Sequence, residues 1–327
     1  MTDALIIGGT QFIGRHTVVE LLDHGYDVTI FNRGNHDNPF ADTDAVDHVA
    51  GNRKDRADLE RAAATDPDIV IDCVAYYPDE VRTATDVFAD VDAYVFVSSG
   101  AAYGEHTIPQ REDETGLHDC TPEQATDDSM ETYGPRKAEG DRAVFAAAET
   151  GVNAMSVRPV LVYGPYDYTE RFNYWIDRVN RFDQVLVPGD GSRLLHHVYV
   201  EDVAAALRTV AEDGEPGEAY NAADRFTFSL EGSLELVADA LGTDVEVIHA
   251  SEYDLAMGDL TPDDFVLYRS TPQVTATEKL HALGWDSTPL TTAVERTVED
   301  YLASDRDGSE YDPGRVAEER IIEELTS

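Results

Sequence analysis

An α/β fold with a doubly wound parallel sheet, followed by a smaller mixed α/β lobe, is what the sequence predicts. Three observations carry that expectation. Strand-length apolar runs alternate with amphipathic helix-length runs through the first half of the chain, and strands that are apolar throughout need helices on both faces of their sheet. Glycines stand between the first strand and the first helix, in GGTQFIG, as a βαβ ligand-binding turn requires. Finally, 327 residues of which 42% are hydrophobic can bury a large core.

The elements follow in order. ALIIGG is a short buried strand, and FIGRHTVVELLDHG is an amphipathic helix with Ile13, Val18, Leu21 and Leu22 on one side and Gly25 as its stop. DVTIFNR is a second strand, ADLERAAAT a helix, DIVIDCVA a third strand, EVRTATDVFADV a helix and AYVFVSS a fourth strand. Right-handed crossovers then wind the helices onto both faces. Residues 104–131 are polar, acidic and irregular, a long connection of the functional or mobile kind. A helix over about 132–149 follows, then the strand NAMSVRP. The stretch YDYTERFNYWIDRVNRF carries Phe172, Tyr174, Trp175 and Ile176, a stripe suited to packing. After the turn-rich PGDGS, HHVYVEDVAAALRTVAED reads as strand then helix. Residues 1–164, with 196–222 returning, are expected to form the first domain. Residues 165–195 and 223–303 form the second lobe, and 304–327 an acidic helical tail.

Composition excludes some partners. The formal net charge is −42, from 66 acidic and 24 basic residues. The acids are spread between apolar periods, which argues against disorder and for adaptation to molar salt, where screening over about 3 Å removes self-repulsion. Such a surface fits a halophile's cytosol. It disfavours nucleic acid, which wants a basic stripe. Cys73 and Cys120 are the two cysteines. They form no disulfide framework or Cys/His metal spacing, as in a reducing cytoplasm, and no metal site is expected. No charged and apolar leader stands at the N-terminus and no apolar run nears about 18 residues, so neither a signal peptide nor a membrane span is expected.

Three constellations carry chemistry. Gly8, Gly9, Thr10, Gln11, Phe12, Ile13 and Gly14 make a G-x-x-G-x-x-G turn whose middle position is Gln11. A helix N-terminus presents N–H groups and partial positive charge to a pyrophosphate. The second strand ends on Asn32 and Arg33, and an arginine there accommodates a 2′-phosphate, favouring NADP over NAD. Asn52 lies where a loop reaches an adenine. Tyr133 and Lys137, four apart on one helix, share a face, and an ammonium beside a phenol favours the phenolate. Lys137 gains weight because Lys54 and Lys279 are the only other lysines. Ser98 and Ser99 close the fourth strand at its carboxyl end, where open α/β sheets hold ligands. A guanidinium pair, Arg171 and Arg193, suits a phosphate, with His196 close in sequence.

In order, GGTQFIG, DCVAYY, VSSGAAYG, YGPRK, VRPVLVYGP, HVYVEDVAAAL, YNAA and LGW resemble the extended short-chain dehydrogenase/reductase superfamily, specifically its NAD(P)-dependent epimerase/dehydratase group, from residue 4 to about 300. The resemblance implies a Rossmann domain with a substrate lobe, NADP or NAD as cofactor, and a homodimer. It implies Ser99, Tyr133 and Lys137 as the catalytic set, Lys137 also holding the nicotinamide ribose. It places Gly8, Gly14, Arg33, Ala75, Pro159 and Leu161 in the cofactor cleft. The usual family turn has glycine at position 11. GGTxFIG looks like an atypical branch that includes the chloroplast stem-loop RNA-binding proteins. The family's nucleotide-sugar enzymes carry an arginine just before the (H/Y)V-x-D segment, and Arg193 lies two residues upstream of that place. The expected activity is epimerase, dehydratase or reductase chemistry on a sugar-like, nucleotide-linked small molecule. The alternatives are an NADPH reductase of a small carbonyl compound and a non-catalytic dinucleotide-sensing or RNA-binding protein. Gly100 and Ala101 stand where the family's 4,6-dehydratases have an acid pair, which disfavours that branch.

Overall fold

The structure, a computed structural model, describes residues 2–327. The chain begins β1 (Asp3–Ile7), α1 (Phe12–Asp23), β2 (Asp27–Asn32), β3 (Val46–Ala50), α2 (Arg56–Ala63), β4 (Ile69–Asp72), α3 (Pro78–Val87) and β5 (Ala93–Val97). It continues through α4 (Tyr133–Glu149), β6 (Ala154–Pro159), β7 (Leu161–Tyr163), α5 (Arg171–Arg181), β8 (Gln184–Pro188), β9 (Leu194–Leu195), β10 (His197–Tyr199), α6 (Val200–Asp213) and β11 (Ala219–Ala222). It ends with β12 (Phe228–Ser229), α7 (Leu230–Leu241), β13 (Glu246–Ala250), α8 (Glu252–Ala256), α9 (Glu278–Ala282), α10 (Leu290–Leu302) and α11 (Arg315–Thr326).

Two units emerge. The first takes the chain up to Val162, then Val198–Arg225 and Thr275–Ser287. It holds a seven-stranded sheet in the order β11-β6-β5-β4-β1-β2-β3, every pairing parallel. Strand order reverses between β1 and β4, the switch point at which such sheets bind ligands beyond their carboxyl ends. Alternation along β1 divides the core. Ile6 packs in a layer with Val18 and Leu21 of α1 and Val203 and Leu207 of α6. Leu5 and Ile7 face the opposite layer, with Leu59 of α2, Val81 of α3 and Val144 of α4. Trp285 closes the first layer and donates its indole N–H to the Asp202 carbonyl at 2.9 Å. The doubly wound parallel sheet is therefore as expected. The sequence pattern missed the two edge strands of this sheet, the short β11 and β3; β3, VDHVA, is half-exposed, with Asp47 and His48 facing solvent, so it lacks the continuous apolar run that marks β1, β4 and β5.

The second unit comprises Tyr163–His197, Phe226–Val274 and Thr288–Ser327. Its β8 and β13 pair in parallel, with Leu186 opposite Ile248, and α5, α7 and α10 pack together. Phe172, Tyr174, Trp175 and Ile176 of α5 are all buried. Trp175 stacks on Phe265 with ring centres 6.4 Å apart and donates its N–H to the Val266 carbonyl at 2.9 Å. Helix α11 is pinned by charge as well as by packing. Arg178 of α5 donates to Glu318 at 3.0 Å and to Asp312 at 2.6 Å. Glu318 is 1% exposed and also accepts from Tyr174 and Arg315. Removing one member of a buried ion pair strands the other charge. Glu318→Ala is expected to lower the unfolding free energy by about 3 kcal/mol, read by denaturant unfolding in molar KCl; a change near zero would show that Asp312 alone satisfies Arg178.

Candidate active site

The carboxyl edge of the sheet begins with the glycine turn. Gly8 and Gly9 adopt φ +118° and +89°, on the side of backbone space that glycine visits freely. Gly14 serves close approach instead: a Cβ there would lie 2.6 Å from the Gly9 nitrogen, so α1 starts in direct contact with the turn. Gln11 sits in ordinary extended backbone, φ −131° and ψ 148°, exposed and making no side-chain cap. Glycine is therefore not required at position 11, and the turn accepts the bulkier residue without strain there. The strain falls on the next residue, because buried Phe12 has φ +34°, unusual for a large side chain. Thr10 and Ile13 are half-buried beside it. With Gln11 leaving the N-terminus of α1 uncapped, the turn offers a backbone cradle that fits a dinucleotide pyrophosphate.

Around it the sequence-predicted cofactor residues take distinct places. Asn32, the last residue of β2, donates to the Gly8 carbonyl at 3.2 Å and accepts from the Gly34 N–H at 2.8 Å; it ties the strand end to the turn. Arg33 beside it is exposed. Asn52 organises the loop before α2, its N–H donating to Asp58 at 2.8 Å and its side chain accepting from the Lys54 N–H at 3.1 Å. Pro159 ends β6 and Leu161 opens β7.

The catalytic candidates converge on the ends of β4 and β5. Ser99, half-buried just past β5, accepts the Ala101 N–H at 3.1 Å and so caps a short 3₁₀ turn over Gly100–Ala102. Tyr133 is the first residue of α4 and half-buried. A Cβ on Gly134 would fall 2.5 Å from the Ala101 carbonyl. That glycine lets the start of α4 abut the Ser99 turn, and sequence reasoning noticed only its helix position. One helical turn on, Lys137 is 3% exposed. Its ammonium donates to the Val97 carbonyl at 2.7 Å and the Ala75 carbonyl at 2.9 Å, and lies 5.8 Å from the Tyr133 ring centre. Burial pulls the Lys137 pKa down to about 8, opposed first by the charge of Asp72. An ammonium this close to a phenol stabilises the phenolate.

The remaining candidates lie in the second unit. A small pocket is lined by Arg193, Arg269, His197, Leu195, Leu267 and Ser233, among others. Arg193 donates to the Ser270 carbonyl. Burial, and then the charge of Arg171, hold the Arg269 guanidinium below its usual value. Arg171 opens α5 and donates to Thr169 at 3.1 Å. His196 is buried, with its backbone N–H bonded to the Gln273 carbonyl at 3.0 Å. Its neighbour His197 lines the pocket, stacked 4.6 Å from Phe228. Burial pushes the His197 pKa down to about 3, so the ring is neutral. Its Nδ1 bonds the Leu195 carbonyl at 2.8 Å. Its Nε2 has no partner among the described residues. Arg269 escaped sequence reasoning; a basic residue in so acidic a chain was the available signal. No group of three or more His, Cys, Asp or Glu among the described residues is placed to hold a metal, and none of their helices is long and apolar enough to cross a membrane.

A glycine turn on the first strand, a Tyr-x-x-x-Lys helix and a strand-end serine on one doubly wound sheet define an enzyme of the short-chain dehydrogenase/reductase type. The chain belongs to the NAD dependent epimerase/dehydratase family, whose profile matches residues 4–223. It is 26% identical over 298 residues to the chloroplast stem-loop binding protein of 41 kDa b of Arabidopsis thaliana, covering 86% of this chain and 74% of that one. It is also 26% identical over 331 residues to the low-salt glycan biosynthesis protein Agl12 of Haloferax volcanii, covering 93% and 99%. The crystal structure of UDP-glucose 4-epimerase from Thermotoga maritima with UDP-glucose superposes with a TM-score of 0.73 at 20% identity, covering 92% of this chain and 99% of that one.

Titration of Lys137 should register in stability. Its pKa is about 8 in the folded chain against an ordinary 10.5, so between those values the unfolded chain binds more protons and this group makes stability rise with pH. The stability of the native chain relative to Lys137→Met should therefore increase across that window in guanidinium titrations; a fall would contradict the burial of a cation at this position.

Proposed function

We propose that the chain is an NAD(P)-dependent epimerase or reductase acting on a sugar-like, nucleotide-linked substrate, with Tyr133 as the proton-transfer residue. The observation that carries this reading is the seating of Lys137 on the Ala75 and Val97 carbonyls, one helical turn from Tyr133 in a helix whose start abuts the Ser99 turn. When bound, a nicotinamide supplies hydride acceptor and donor chemistry. The chain's own groups do the rest. Gly8, Gly9 and Gly14 form the cradle for the pyrophosphate, and the exposed Arg33 takes a 2′-phosphate, which favours NADP. Ser99 orients the substrate hydroxyl. Tyr133 as phenolate takes the hydroxyl proton as the alcohol becomes a ketone, and as phenol returns it when hydride is delivered back. Lys137 holds the charge balance through both steps. In the second unit, Arg171, Arg193 and Arg269 suit a diphosphate, in a chain whose net charge is −42.

The names of the relatives support sugar chemistry: glycan biosynthesis for the Haloferax protein and UDP-glucose for the Thermotoga enzyme. Gly100 and Ala101 leave Ser99 without an adjacent acid pair, which favours epimerase or reductase over 4,6-dehydratase. The likeness to the stem-loop binding protein, which we take to share the GGTxFIG branch, supports a second reading as a nucleic-acid binder. The acidic surface weighs against it.

Two measurements test the reading. Nicotinamide fluorescence titrations in molar KCl should give tighter binding of NADPH than of NADH, with the difference reduced at least tenfold in Arg33→Ala. No binding of either would give the lead to the non-enzymatic reading. Tyr133→Phe should lose turnover of nucleotide sugars by roughly a thousandfold while cofactor binding persists, and undiminished turnover would remove the mechanism.

A further inference from the structure

We propose that Asp72 is a positioning residue for Lys137, the buried carboxylate at the end of β4 that does most to keep the Lys137 ammonium charged. Strand register sets the placement. Asp72 is the last residue of β4 and lies opposite Phe96 of β5. The chain just beyond that rung supplies the Ala75 and Val97 carbonyls on which the ammonium sits, and the Phe96 ring centre is 4.7 Å from Nζ. Tyr94 and Phe96 belong to the apolar layer that also takes Val144 of α4. The Tyr94 hydroxyl donates to Asp72 at 3.0 Å, so the carboxylate lies in that layer too.

The carboxylate is fixed from three sides. Besides Tyr94, it accepts the Val74 N–H at 3.2 Å and is paired with Arg53. Asp72 is fully buried and Arg53 is 8% exposed. Two nitrogens of Arg53 find no hydrogen-bond acceptor among the described residues, and Glu80 stands 3.8 Å from the guanidinium. Asp72 is thus the principal answer to Arg53 as well. In a low-dielectric layer such charges act over longer distances than at the surface.

The groups facing Lys137 come from three elements. Asp72 and Cys73 approach from the end of β4, Asp141 and Tyr133 from α4 itself, and Glu80 from α3. The Tyr76 ring centre is 5.3 Å from Nζ. Burial pushes the Cys73 thiol up to about 12, so it is neutral. Asp141 is engaged at 2.8 Å by buried Arg158. Glu80 accepts the Tyr76 and Tyr77 N–H groups at the start of α3 and faces Lys54. Asp72 is the strongest of the influences that favour the charged lysine.

The consequence for catalysis rests on the Tyr133–Lys137 reading above, but the test does not. The chain has three lysines, so protein labelled with 13Cε-lysine gives three resonances, assigned with Lys54→Arg and Lys279→Arg. Their pH titration in molar KCl reads Lys137 directly, without substrate or cofactor. Asp72→Asn should lower the Lys137 midpoint by about one pH unit or more, because a negative charge is lost and Arg53 is uncovered. Arg53→Gln should move it the opposite way, which a merely structural role would not do. Asp141→Asn should give a smaller fall than Asp72→Asn. An unmoved midpoint in Asp72→Asn, or a larger fall in Asp141→Asn, would overturn the proposal. Should Asp72→Asn fail to fold, Arg53→Gln decides: a rise supports the role, and no change or a fall overturns it. Inactivity with the titration intact would instead count against the Tyr133 chemistry.

Discussion

Everything at the carboxyl edge of the sheet depends on how one buried cation is satisfied. Lys137 leaves water to sit on the carbonyls of Ala75 and Val97, and a charge placed there is tolerable only with hydrogen bonds and counter-charge. That requirement draws together three elements distant in sequence. Helix α4 brings the lysine, the strand ends bring the acceptors, and the loop after β3 brings Arg53 to its pair with Asp72. A helix so anchored has little freedom to rotate, and Tyr133 inherits its position from it.

Backbone proximity is the second constraint, and glycine answers it in two ways. At Gly8 and Gly9 the chain turns through positive φ. At Gly14 and Gly134 the conformation is ordinary, but a side chain would strike a neighbouring backbone. The first pair shapes the turn, and the second lets a helix close on it. Gln11 is instructive by contrast. The family pattern expects glycine there, yet Gln11 sits in extended backbone with its side chain exposed, and the unusual φ falls on Phe12.

In a chain of net charge −42, a few of the basic residues are taken out of water. Arg53, Lys137, Arg158 and Arg178 are all buried, each answered by a carboxylate or by carbonyls. Arg193 and Arg269 line one pocket of the second unit with the neutral His197.

What the sequence determined by itself was whatever repeats locally. Continuous apolar runs separated by amphipathic helices fixed the parallel sheet, because no other arrangement covers both faces. The four-residue spacing of Tyr133 and Lys137 fixed their shared helix face, because a helix makes them neighbours. Tertiary structure alone decided what depends on meeting across the chain. Edge strand β3 is too polar to announce itself and exists because β2 offers it hydrogen bonds. Asp72 looks like a strand-end acid until Arg53, Tyr94 and Lys137 converge on that strand end. His197, and not its neighbour His196, lines the second unit's pocket, because which of two adjacent side chains faces a cavity is set by what packs around them. Pattern reports the period of an element; which side chains share a buried space depends on contacts between residues far apart in the chain.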